Sequence, residues 1–169
     1  MTQPMERHAI ISPCGVYRYR LSRRWADGPS CMFIMLNPST ADALQDDPTI
    51  QRCIGFAKRE GCGAMDVVNL MAFRATKPVN LPDGKSALGP DNAYWVCRTA
   101  DECRGPHIAA WGAHKKAERY AKGLLHVFSA RGRDLMCLKK TASGAPGHPL
   151  YVRSDSPLTL FHGGAKPDG

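Results

Sequence analysis

The sequence contains no apolar run long enough to cross a bilayer, and Met1 to Arg20 lack the apolar segment and small-residue cleavage site of a secretory signal. Neither a membrane span nor secretion is expected, and the cytoplasm is the default address. There is no CxxC pair either. The seven cysteines, Cys14, Cys31, Cys53, Cys62, Cys97, Cys103 and Cys137, are odd in number and irregular in spacing, which argues against a disulfide framework. In a reducing compartment they read as small, partly buried hydrophobes. Walker-type and GxGxxG phosphate loops are missing. His107, His114 and His148 have no HxxxH or HxE spacing, and Asp42, Asp46 and Asp47 suit turn and cap positions better than a magnesium site. No metal and no cofactor is expected.

Negative charge is also in short supply. Against 23 Lys and Arg there are 15 Asp and Glu, a formal charge of +8 over 169 residues. With 43% hydrophobic and 22% charged residues the composition is that of a soluble globular protein, which excludes wholesale disorder and collagen-like repeats. One domain is expected over residues 1–161, followed by a disordered tail over residues 162–169. A chain of this length buries roughly 70% of its unfolded surface without needing a metal or disulfide. The positive charge is concentrated. Lys115, Lys116, Arg119, Lys122, Arg131, Arg133, Lys139 and Lys140 form one cluster, and Arg18, Arg20, Arg23 and Arg24 another. Such clusters suit a polyanion and equally suit a solvated surface.

Strand-like and helix-like segments alternate. Tyr17, Tyr19 and Leu21 share one face of a strand with arginines on the other, the pattern of a half-exposed strand. Cys31 to Leu36 is a continuous apolar run, as in a strand buried on both faces. Asp47-Pro48 supplies an N-cap and first-turn proline for a helix carrying Ile50, Cys53, Ile54 and Ala57 at helical spacing and ending at Gly61. Met65 to Leu70 reads as a buried strand, Met71 to Pro90 as a long loop, and Ala93 to Ala100 as a helix. His107 to Trp111 reads as a strand, Ala113 to Lys122 as a helix, and Leu124 to Phe128 and Leu135 to Leu138 as strands. The order predicts a three-layer α/β/α sandwich around a mainly parallel sheet of four to five strands.

In such a fold, ligands bind at the carboxyl ends of the strands. Four segments with unusual chemistry fall there. Asn37, just before Pro38, ends the first buried strand, and its amide can orient a water or bind a base edge. Asn69 lies within Val67-Val68-Asn69-Leu70, where a polar side chain is costly to bury without a partner. Trp111-Gly112-Ala113-His114 follows the third strand. His148, held in Gly147-His148-Pro149, can act as an acid or stabilise an anion. Taken singly, an Asx-type turn explains Asn37 and an exposed loop explains His148.

Taken together, Met35-Leu36-Asn37-Pro38-Ser39-Thr40-Ala41-Asp42, Val67 through Thr76, Ala110 through His114 and Gly147 through Tyr151 strongly resemble a bacterial and phage family, domain of unknown function 1643, over roughly residues 8 to 160. A more distant resemblance is to the uracil-DNA glycosylase superfamily. Its members have an Asn-Pro- or Asp-Pro-like motif after the first core strand, a base-reading asparagine at a strand end, a Trp-Gly or Leu-Gly strand end and a late His-Pro loop. That resemblance implies a glycosylase-like fold. It also implies hydrolysis of the N-glycosidic bond of a modified or deaminated base, in a DNA repair or modification setting. Asn37 and His148 are then the catalytic pair, and Asn69, Phe73 and Trp111 contact the base. Ser39, Thr40, Arg74, Lys115 and Lys116 contact phosphate. The implied partner is nucleic acid, DNA first, or a nucleotide. Met35 stands where the superfamily has glycine, Ser39 replaces another, and the cysteines lack the spacing of its iron–sulfur members. A non-catalytic nucleic-acid or nucleotide-binding module and an enzyme acting on free nucleosides or nucleotides remain open beside it.

Overall fold

In the computed structural model, which describes residues 3–165, the chain runs β1 (Glu6–Ile11), β2 (Arg18–Arg24), β3 (Ser30–Met35), α1 (Pro48–Arg59), β4 (Ala64–Asn69), α2 (Lys85–Leu88), α3 (Asn92–Glu102), β5 (His107–Ala109), α4 (Lys115–Ala130), β6 (Leu135–Cys137) and β7 (Thr159–His162). Short 3-10 turns occur at Pro78–Asn80 and Pro149–Tyr151. All seven strands join one sheet in the order β1-β2-β4-β3-β5-β6-β7. No helix among the described residues is long and apolar enough to cross a membrane.

The four central strands, β4-β3-β5-β6, are parallel, as the helical crossovers α1, α3 and α4 between them require. The sheet is nevertheless wider than the expected four to five strands, and it is mixed. β1, β2 and β7 attach through antiparallel pairings at its two flanks. The turn between β1 and β2 is closed by Ser12 N donating to Tyr17 O at 2.9 Å. Two antiparallel strands joined this way need no crossover helix, so β1 leaves no mark in the alternation of strand and helix patterns, whereas β2 shows in the spacing of Tyr17, Tyr19 and Leu21.

Packing separates the two sides of the sheet. Along β3, Cys31, Phe33 and Met35 enter a core with Ile50, Cys53, Ile54 and Ala57 of α1. Met32 and Ile34 enter a second core with Val96 and Ala100 of α3 and Ala117, Ala121 and Phe128 of α4. This period-two division is what a strand buried on both faces produces. α1 begins as expected: Asp47 Oδ1 accepts from Ile50 N at 2.9 Å and Pro48 follows in the first turn, a cap contributing about 1 kcal/mol.

Three local expectations are corrected. Leu124 to Phe128 is not a strand but the second half of α4, because Ala117, Ala121, Leu124, Leu125 and Phe128 continue one helical stripe against the second core and Gly123 does not break it. β2 is not half-exposed. It lies between β1 and β4 with Arg18 and Arg23 both buried, so the N-terminal arginine cluster is not a surface patch. Arg23 pairs with Asp46 at 2.8 Å and Arg20 with Asp66 at 2.9 Å. The tail expected from residue 162 does not begin there, since His162 closes β7 and Gly164 N donates to Asp134 Oδ1 at 2.8 Å. Residues 166–169 of that expectation lie outside the described residues. The long loop from Met71 to Pro90 contains α2 and one 3-10 turn.

Candidate functional site

The carboxyl ends of β3, β4 and β5 open into a cavity of about 910 Å³, lined also by the segments that follow β6. Its floor is built by backbone pairing of consecutive strand ends. Leu70 N donates to Met35 O at 2.9 Å, Met71 N to Leu36 O at 3.0 Å, and Ala75 N to Pro38 O at 3.0 Å. On the other side, Gly112 N donates to Pro146 O at 2.9 Å and Gly147 N to Lys139 O at 2.6 Å, which brings residues 139–148 over the end of β5. Gly112 adopts φ +76°, the left-handed conformation that favours glycine. A Cβ there would lie 3.5 Å from the Cβ of His148, so His148 sits close against the turn that ends β5.

Asn37 is held by its own amide nitrogen. Nδ2 donates to Ala75 O at 2.8 Å and to Pro38 O at 2.9 Å, which uses both hydrogens and fixes the amide orientation. Oδ1 has no protein donor among the described residues and is the group Asn37 offers to the cavity. This is more than an Asx turn, because one of the two carbonyls belongs to the segment after β4.

His148 caps the 3-10 turn at Pro149–Tyr151, its Nδ1 accepting from Leu150 N at 3.2 Å. The neutral tautomer therefore carries its proton on Nε2. Burial pushes the His148 pKa down, with the charge of Asp47 opposing it. Arg52 ties this loop to α1 through the Pro149 and Val152 carbonyls. His114 repeats the device at the start of α4, Nδ1 accepting from Lys116 N at 3.1 Å. Both imidazoles can thus present an Nε2–H donor rather than a base.

The lowered His148 pKa makes folding stability depend on pH. Above the unfolded-state value near 6.5 the residue is neutral in both states and costs nothing. As pH falls below it, the unfolded chain takes up the proton first, so folding stability is lost through the folded-state pKa. His148→Asn keeps a capping acceptor without that titration. Thermal unfolding of the two proteins should run parallel above pH about 6.5, with the parent losing additional stability below it.

Asn69 is the unusual member. It is 1% exposed, and neither its Oδ1 nor its Nδ2 has a hydrogen-bond partner among the described residues. The same strand shows how this fold ordinarily treats a buried polar side chain. Asp66 receives Arg20 Nε at 2.9 Å, Ser22 Oγ at 2.5 Å and Ser30 Oγ at 2.8 Å. An unsatisfied buried polar group costs about 1–3 kcal/mol, and Asn69 carries two while lining the cavity.

Of the residues expected from sequence, the cavity brings together Asn37, Ser39, Asn69, Trp111 and His148. It does not include the others. Phe73 packs edge-on against Tyr17, ring centroids 6.1 Å apart. Thr40 and Arg74 lie in the strand-end loops outside the lining, and Lys115 is exposed on the first turn of α4. Lys116 Nζ donates to Leu81 O at 2.9 Å, anchoring the loop before α2. Lining residues that sequence reasoning did not assign to the site include Arg18, Asp47, Thr49, Thr141 and Tyr151; Lys139, placed in the basic cluster, also lines it. Met35, the departure from glycine, is among the residues that line the cavity. Trp111 is buried and braced edge-on by Phe161 at 5.6 Å.

The cavity is thus a largely apolar pocket set with a few polar groups, with Asp47 as its one lining carboxylate among the described residues and Arg18 and Lys139 as cations. Residues 18–150 match a family described as "Protein of unknown function (DUF1643)". The chain belongs to this family. The DUF1643 segment contains every lining residue except Tyr151 and Val152, so the cavity is a feature of the family region rather than of the flanks. No curated protein and no solved structure matches the chain.

Proposed function

We propose that the cavity takes a nucleobase and that the protein hydrolyses the N-glycosidic bond holding it. The observation that carries this reading is Asn69, a buried amide with a donor and an acceptor both unpaired in the cavity floor. A base edge offering an acceptor beside a donor satisfies both atoms at once. The order of Asn37, Asn69, Trp111-Gly112 and His148 along the chain, resembling that of uracil-DNA glycosylases, supports the same reading.

The chemistry divides among groups already positioned. Water attacks the sugar carbon as the carbon–nitrogen bond breaks, and the electron pair of that bond leaves with the base. Asn37 Oδ1 accepts from the water and orients it; an amide is not a base, so the water's proton passes to solvent and solvent reprotonates the base. His148 Nε2–H donates to the departing base, stabilising its negative charge. Preorganised donors of this kind, fixed before the charge develops, act mainly on the transition state.

The reading is tested with labelled oligonucleotides and nucleosides carrying different altered bases, followed by alkaline cleavage of any abasic product. Release from at least one member supports it, and tight binding without release moves the protein to the binding-module class. For a strand substrate, exposed Lys139 at the cavity and Lys115 on α4 meet phosphates. The double reversal Lys115→Glu, Lys139→Glu should weaken binding similarly for all sequences and reduce the slope of log affinity against log salt by about two, one for each phosphate no longer neutralised. Salt titrations of the two proteins measure this. Arg131 and Arg133, both paired with Asp101, should contribute less.

A further inference from the structure

The four arginines of β2 are all at least partly buried, two of them in ion pairs, while Arg24 donates to the Ala26 and Gly28 carbonyls. Arg23 places Nε on Asp46 at 2.8 Å and its remaining nitrogens on the Ser22, Asp42 and Gln45 carbonyls. Arg20 bridges Asp66 and Glu102, at 2.9 and 2.8 Å. Arg18, the one that lines the cavity, makes no ion pair among the described residues. It is 3% exposed; Nη1 donates to Ala41 O at 2.7 Å and Nε has no acceptor among the described residues. The acidic side chains nearest in sequence to its contact are otherwise engaged. Asp42 Oδ1 accepts from Leu44 N and Gln45 N, and Asp47 Oδ1 caps α1.

A guanidinium taken out of water without a contacting anion is costly. The strain shows in its proton affinity: burial pulls Arg18 down to about 10, with the charge of Asp47 only partly compensating and Arg74 and Arg23 adding to the depression. The planar fork of arginine matches the oxygens of a phosphate in a way a lysine does not. We infer that Arg18 anchors an anion subsite of the cavity that receives the phosphate of the ligand, so that the substrate is a nucleotide unit rather than a nucleoside or free base. The inference rests on the nucleobase reading for what else the ligand carries. The unpartnered Asn69 amide then receives the base and the Arg18 guanidinium, which lacks an ion-pair partner among the described residues, receives the phosphate, so that one molecule satisfies two groups of one cavity. A cavity of about 910 Å³ lies within the size range of small-molecule sites and has room for both ends. The phosphate can belong to a free nucleoside monophosphate or to the backbone of a strand.

The test uses the full chain. Thermal unfolding of the parent is followed with sodium phosphate against sodium chloride at matched ionic strength, then with nucleosides, their 5′-monophosphates and short oligonucleotides. Inorganic phosphate should raise the melting temperature saturably where chloride does not, and monophosphates should bind roughly ten-fold or more tighter than the matching nucleosides. Arg18→Met, which fills the volume without the charge, should remove that difference, and Arg18→Lys should restore it in part. If monophosphates and nucleosides bind the parent equally and phosphate gives no shift beyond chloride, the subsite is overturned whether or not the variants fold. A folded Arg18→Met variant that keeps the full preference overturns it as well. Binding of nucleosides without any phosphate effect defeats the subsite and leaves the nucleobase reading standing. A phosphate effect with no response to any base supports the subsite and defeats the nucleobase reading. A preference for oligonucleotides over monophosphates assigns the phosphate to a strand, and the opposite preference assigns it to a free nucleotide.

Discussion

Asn37→Ala should lower the single-turnover rate of base release by about 10²- to 10³-fold, the loss typical when one preorganised polar group of a transition-state site is removed. Substrate affinity should change little, because a water-orienting acceptor contributes mainly as the bond breaks. The structure makes this separation measurable. Ala75 N still donates to Pro38 O at 3.0 Å in the absence of the side chain, so the two strand-end loops remain joined after Nδ2 is removed. Deleting the amide leaves the Ala75 carbonyl without its donor while Pro38 O keeps Ala75 N, at a folding cost of about 1–2 kcal/mol, well below what unfolds a domain of this size. His148→Ala should fall into the same range of rate loss through the leaving group instead of the water. Rapid-quench measurement of released base, beside equilibrium binding of the same substrate, separates the two quantities.

Asn69→Leu should produce the opposite signs in stability and binding. The substitution replaces two buried, unpaired polar atoms with apolar ones of similar shape, so the unliganded protein should gain about 1–3 kcal/mol of folding stability. The same variant should lose base binding by about 10²-fold or more, because no donor or acceptor remains to replace the water stripped from the base edge. Asn69→Asp is the specificity test: a carboxylate only accepts, so it should favour bases that present two donors over those that present a donor beside an acceptor. Urea unfolding and competition binding decide both claims. A core residue held merely for packing would show loss of stability in Asn69→Leu and no change in base preference in Asn69→Asp.

Much of this site is legible in the sequence, and the reasons differ residue by residue. Asn37 and Asn69 stand out because each is polar where a buried strand ends, and the strands fall within one residue of their expected limits, Ser30–Met35 and Ala64–Asn69. The Asp47-Pro48 cap locates α1 because capping is local chemistry. Arg18 is illegible as a site residue for the opposite reason. Alternating arginines in a strand look solvent-facing, and only the loop between β3 and α1, which brings Ala41 O and Asp46 onto β2, decides which of them are buried and which are paired. Phe73 and Lys116 look equally suited to a ligand but are used for packing against Tyr17 and for holding the Leu81 carbonyl. A similar limit hides β7, whose short antiparallel pairing with β6 joins segments more than twenty residues apart. Leu124 to Phe128 shows that a short apolar run carries no secondary structure by itself until the residues before it, Ala117 and Ala121, set the helical phase.

The most direct measurement is isotope tracing of the reaction in ¹⁸O-labelled water. Any substrate released in the oligonucleotide and nucleotide panel is turned over once by the parent protein, and both products are weighed by mass spectrometry. Water attack at the sugar carbon places the label in the sugar product and leaves the free base unlabelled, and Asn37→Ala should slow the appearance of that labelled sugar. Intact substrate from every member of the panel, or label appearing in the base with the glycosidic bond unbroken, would contradict N-glycosidic hydrolysis in this cavity.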